Sequence, residues 1–174
     1  MTATSPMTSE QGELFRRIQA FSFDEAPAAF PFAARLAREN GWSTGLAART
    51  IGEYRRFAFL AVAAGHPVSP SDQVDQVWHL HLLYTESYWN RFCRDTLGMS
   101  LHHHPTKGGD EEREKFRDWY AETLDSYRRF FVTEPPADIW PNAVVRFGED
   151  ILYQRVNRAR YWVVRKPWTG KGRP

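Results

Sequence analysis

The chain has 174 residues, enough for one domain that buries roughly 70% of the surface its unfolded form exposes, and its 42% hydrophobic and 25% charged residues are those of an ordinary globular protein. This composition excludes a disordered chain, and the single Cys excludes an internal disulfide. A net charge of +2 dictates no partner, and the charge asymmetry sits after Asp150, where seven Lys or Arg stand with no acid.

The opening MTATSPMTSEQGE lacks the basic and apolar regions of a secretory leader, and no apolar run approaches the ~18 residues of a membrane span. The chain is therefore expected to be cytoplasmic, with no membrane insertion. Residues 1–8 are small, polar and expected to be flexible. Ser9 can cap a helix from about Glu10 to Phe21, with Leu14, Phe15, Ile18 and Phe21 on one face. Two prolines in FDEAPAAFPF break that pattern. Phe32, Ala33 and Leu36 mark a short helix ended at Asn40–Gly41. Ser43 opens a helix apolar over much of its circumference, the mark of a central element, which Gly65-His66-Pro67 stops.

Ser69, with Pro70 behind it and Asp72 in the first turn, reads as the start of a helix running to about Leu97, where Gly98 ends it. A loop, MSLHHHPTKGG, leads to Asp110, which can cap a further helix carrying Phe116, Tyr120, Leu124, Tyr127 and Phe131 inward. Beyond Glu134 the prolines read as an irregular strap packed by Ile139 and Trp140. The final run has one strand-like segment, Tyr161 to Val164, and is otherwise a basic, aromatic tail. The predicted fold is all-α: a single compact bundle of about five helices over residues 9–150, with the strap outside it and the tail, 151–174, packed on or extending from it.

Candidate chemistry concentrates between Pro70 and Pro105, which hold five of the six histidines and the lone cysteine. At about 100° per residue, Asp75 and His79 share a helix face, and Glu86 and Cys93 fall near the same line. His81 points roughly the opposite way, so one metal ion cannot take both His79 and His81 from a regular helix. A site on Asp75 and His79 needs a third ligand, and the His102-His103-His104 loop offers three. Asp75 can ligate directly or orient a histidine ligand. A divalent ion is the implied cofactor, zinc first, with iron or copper as alternatives. Glu86 and Cys93 are the candidates for a catalytic role. Cys93 as a nucleophile is disfavoured by its place near a helix C-terminus, and reads more simply as a small buried hydrophobe. There is no Gly-x-Ser-x-Gly elbow, and TKGG is too short for a phosphate loop.

The order Val74-Asp75, Trp78-His79-Leu80-His81, Tyr88, Cys93 and Gly98-x-x-Leu101-x-His103 resembles the glycine-rich domain-containing protein family in its shorter bacterial form. The resemblance runs from about Phe32 through PTKGG to PPADIWP, and the chain lacks the family's glycine-rich C-terminal region. It implies no catalytic activity. It does imply that Asp75, Trp78, His79, His81, Tyr88, Cys93 and His103 form one constellation, and it selects His103 over His102 and His104.

The reading that results is a divalent-metal-binding helical protein, extending to a small metalloenzyme, with His79, His103 and Asp75 as ligands. The alternative is a non-enzymatic module whose histidines are structural and which binds a protein, or a nucleic acid through the basic tail. No protein or small-molecule partner has a signature of its own.

Overall fold

The computed structural model describes residues 7–24, 28–148, 156–157 and 159–164. Among these the chain is helical and forms no strand: α1 (Ser9–Ala20), α2 (Phe32–Asn40), α3 (Thr44–Ala63), α4 (Asp72–Leu83), a π-helix (Ser87–Leu97), α5 (Asp110–Phe131) and α6 (Ala143–Phe147). The all-α bundle expected from the periodicities is the fold. No helix among the described residues is long and apolar enough to cross a membrane.

α3 is central because its sequence leaves it only a narrow solvated stripe, around Ala48 and Arg49 near its start. Ala47, Thr50, Ile51, Tyr54 and the run Phe57–Leu60 are buried, and α1, α2, α4 and α5 all pack on it. The aromatic content goes into this packing: Phe59 meets Phe15 and Phe130 edge-on at 5.3 Å each, and Phe57 packs on Trp78. Such pairs contribute about 0.5–1.5 kcal/mol beyond their buried area.

Several boundaries differ from the expected ones, each for a local reason. Thr8, not Ser9, caps α1, because Gln11 three residues on completes a reciprocal capping box. Ser71, not Ser69, caps α4, its hydroxyl accepting from the Val74 amide at 3.2 Å, while the Ser69 amide is spent on Thr123 Oγ1 in α5. Asp110 is the first residue of α5 rather than its cap; the cap is Gly109, at a φ of 91° that glycine tolerates.

The largest difference is that the helix expected from Pro70 to Leu97 is two helices. It breaks at Tyr84 (φ −91°, ψ 63°), whose ring packs on Phe32 of α2. The chain then continues as the wider π-helix to Gly98, which takes the left-handed conformation. No Pro or Gly marks the break.

The Pro-rich strap closes the far side of α3. Ile139 and Trp140 are buried, and Glu53 of α3 accepts from both Trp140 Nε1 and Tyr127 Oη at 3.0 Å. α6, which was not anticipated, follows at an Asn142 cap. The strand-like segment, residues 161–164, is exposed and forms no strand, the Tyr161 amide instead closing a turn on the Asn157 carbonyl at 3.1 Å. The expected flexibility of residues 1–8 lies, except for Met7 and Thr8, outside the described residues, as does most of the basic tail.

Candidate metal centre

Helix α4 presents two opposite faces. On its inner face His81 is fully buried, with Nδ1 at 3.1 Å from Tyr54 Oη and Nε2 at 3.4 Å from Ser87 Oγ, and the rings of Phe21, Phe23, Tyr88 and Phe92 surround it. Desolvation, helped by the Arg91 charge, drives its pKa down to about 3, so this imidazole is neutral. His81 is architecture, as its two-residue offset from His79 requires.

On the outer face Asp75 and His79, one turn apart, meet His103 from the loop after the π-helix. His103 Nε2 lies 2.9 Å from Asp75 Oδ1, His79 Nε2 lies 3.0 Å from His103 Nε2, and His79 Nε2 is 3.5 Å from Asp75 Oδ2. One donor atom from each residue falls within 4.8 Å of the others. Two ligands held at 2.0–2.1 Å around a tetrahedral zinc are about 3.3 Å apart, and the separations of 2.9–3.5 Å are compatible with that spacing as well as with hydrogen bonds. A single hydrogen on His103 Nε2 can serve only one of its two neighbours, whereas a cation at the centre serves all three lone pairs. Two sides of the group are protein: the side chains of Asp75 and His103 are 21% and 20% exposed. His79, at 47%, leaves the third open to solvent.

The chain holds His103 in place through a buried strut. Trp78, on α4 between the two faces, donates from Nε1 to Tyr88 Oη at 2.8 Å, and Tyr88 in turn donates to the Leu101 carbonyl. That fixes the loop two residues before His103, whose ring meets the Trp78 ring at 4.6 Å. Tyr88→Phe keeps the ring and removes the link, stranding a buried N–H and a carbonyl. The expected cost is about 1–3 kcal/mol in denaturant unfolding and, where metal is bound, roughly 10-fold in affinity, at the lower end of what outer-shell changes cost. Trp140→Phe loses a comparable bond to Glu53 and should leave affinity unchanged; equal metal binding by wild type and Tyr88→Phe would dissolve the strut.

The remaining expected residues fall elsewhere. The break at Tyr84 ends the projection that put Glu86 and Cys93 on the His79 line. Glu86 is exposed and accepts from the Asn90 amide at 2.7 Å. Cys93 is buried at the Tyr88–Leu101 contact, and desolvation pushes its thiol pKa up in spite of bonds to Leu101 and Tyr88. His102 is exposed against Trp89, and His104 is exposed beside His102. Neither joins Asp75, His79 and His103 in the group. The strut was within reach of sequence reasoning as a set of residue types, since Trp78 and Tyr88 belong to the constellation, but the part played by the Leu101 carbonyl was not.

Residues 18–133 match the family model described as UCP032817-like. No curated protein and no solved structure matches the chain.

Proposed function

The chain belongs to the UCP032817-like family, and from the geometry of its own residues we propose that it binds one divalent metal ion through Asp75, His79 and His103. The convergence of two imidazole nitrogens and a carboxylate oxygen within 4.8 Å carries this reading. Zinc suits the donor set best among closed-shell ions, and the same two-His, one-carboxylate arrangement accepts ferrous iron. The resemblance to the glycine-rich domain-containing family supports the site, for the residues it groups include the three ligands and the Trp78–Tyr88 strut. A bound ion would supply Lewis acidity at the open face, where a small polar ligand could reach it. Asp75 and the histidines would hold the ion, and Trp78 would shield one side of it from water.

The test is elemental analysis of the full chain, purified without an affinity tag, with a melting curve before and after chelation. One equivalent of zinc, iron or copper per chain is expected. With free metal 100-fold above Kd, the ion adds about 2.7 kcal/mol to stability, and the melting temperature falls when chelator removes it. Metal content far below one equivalent after reconstitution, with no chelator effect, would overturn the proposal.

A further inference from the structure

A second cluster lies between the α3–α4 turn and helix α5. Gly65, at a φ of 80°, swings the chain so that His66 faces α5. Two bonds fix this turn on the helix: the Ser69 amide donates to Thr123 Oγ1 at 3.0 Å, and Arg129 donates to the Ala64 carbonyl at 3.2 Å. Held so, His66 places Nε2 2.7 Å from Ser126 Oγ.

The tautomer follows from the other nitrogen. His66 Nδ1 is 2.8 Å from the Pro67 carbonyl, which can only accept, so Nδ1 carries the hydrogen. Nε2 of the neutral ring is then the acceptor and takes the Ser126 hydroxyl hydrogen. Glu122 Oε2, 3.5 Å from Nδ1, stands where it would stabilise the imidazolium. Arg129 reaches Ser126 Oγ at 3.4 Å. His66, Glu122, Asp125, Ser126 and Arg129 line a shallow, open depression of about 290 Å³ on the surface. Nucleophile, base, orienting acceptor and a cation beside the nucleophile thus meet at a surface depression.

We propose that Ser126 and His66 form a nucleophilic dyad that hydrolyses small neutral or cationic esters. Ser126 Oγ attacks the acyl carbon and its proton passes to His66 Nε2. The oxyanion forms beside the Arg129 guanidinium. As it collapses, the bond to the alcohol oxygen breaks and the alcohol leaves with the proton from His66. Water, deprotonated by the same nitrogen, then releases the acid and restores the hydroxyl. Glu122 and Asp125 at the mouth disfavour substrates bearing a carboxylate.

The probe is an alkyl fluorophosphonate, added to the full chain with and without chelator. Its reaction forms an Oγ–P bond, expels fluoride and leaves the proton on His66. Peptide mapping should find one adduct, on Ser126, at the same rate in chelator, which separates this dyad from the metal centre. His66→Gln should slow labelling at least about 100-fold, as loss of a general base does, and Ser126→Ala should abolish both the adduct and the hydrolysis of 4-nitrophenyl acetate. No adduct on Ser126 of the wild type overturns the dyad, as does undiminished labelling of a folded His66→Gln. If His66→Gln does not fold, the wild type decides: an adduct on Ser126 that vanishes when the chain is unfolded in denaturant supports the dyad, and labelling that survives unfolding overturns it.

Discussion

His103→Ala and His79→Ala are each expected to lower metal affinity by more than about 100-fold, beyond the 10–100-fold that outer-shell changes cost, whereas His102→Ala and His104→Ala should stay within about 2-fold of wild type in the same titration. The contrast tests geometry rather than histidine content, because all four side chains come from one helix face and one loop. Asp75→Asn preserves shape and removes charge. Its affinity should fall nearly as far as that of the histidine variants, because neutral amide oxygen is a poor partner for a dication and both His79 and His103 lose their anionic neighbour. The variants should fold, His79 being half-exposed and His103 in a loop. Isothermal titration with zinc in metal-free buffer is the measurement. Equal affinity for wild type, His79→Ala and His103→Ala would place the metal elsewhere.

Helix type and position were legible in the sequence wherever one stripe of apolar residues repeated with the helical period, as in α1 and α5. The Asp75–His79 pairing was legible for the same reason, since four residues are about one turn. The break at Tyr84 was not, because it follows from tertiary packing: Tyr84 turns onto Phe32, and nothing in the sequence between Leu83 and Ser87 carries a stop signal. Every projection beyond it failed with it, which is why Glu86 and Cys93 leave the stripe. The choice of His103 among three adjacent histidines came from the family resemblance. Its physical reason, the Tyr88 bond to the Leu101 carbonyl, is a contact between distant residues that periodicity cannot register. His66 and Ser126 escaped for a related reason: sixty positions separate them, and no local motif announces a dyad assembled by a turn packed on a helix.

The two faces of α4 set opposite demands on two histidines separated by one residue. The outer pair needs imidazoles open to a cation or a proton. The inner face needs an imidazole that never carries charge, since His81 sits among aromatic rings with its nitrogens committed to Tyr54 and Ser87. The Trp78 indole lies between them, touching His103 on one side and bonding inward to Tyr88 on the other. Protonating the inner face therefore threatens the platform on which the outer face is built.

At pH 4.5 the chain is expected to be less stable than at pH 7 by about 2–3 kcal/mol through His81 alone. The folded-state pKa is about 3, depressed from an unfolded value near 6.5. Above that value both states hold a neutral ring and His81 exerts no pH-dependent effect. Below it the unfolded chain takes a proton that the folded chain refuses, at a cost of about 1.4 kcal/mol per pH unit until the folded value is reached. The stability present above pH 6.5 is thus lost as the pH falls toward 3. Other groups also contribute to the pH dependence of stability, so the informative quantity is a difference. His81→Gln keeps groups that can bond Tyr54 and Ser87 but has no titration. It should be less stable than wild type at pH 7, where the imidazole packs better among the rings, and should lose about 2–3 kcal/mol less than wild type on going to pH 4.5. Urea unfolding of both proteins at half-unit pH steps, in chelator so that metal release does not contribute, measures it. Parallel curves for the two would show that His81 takes up a proton in the folded state without penalty. In that case the inner face of α4 would be open to water, and His81 would not be locked as a neutral core residue.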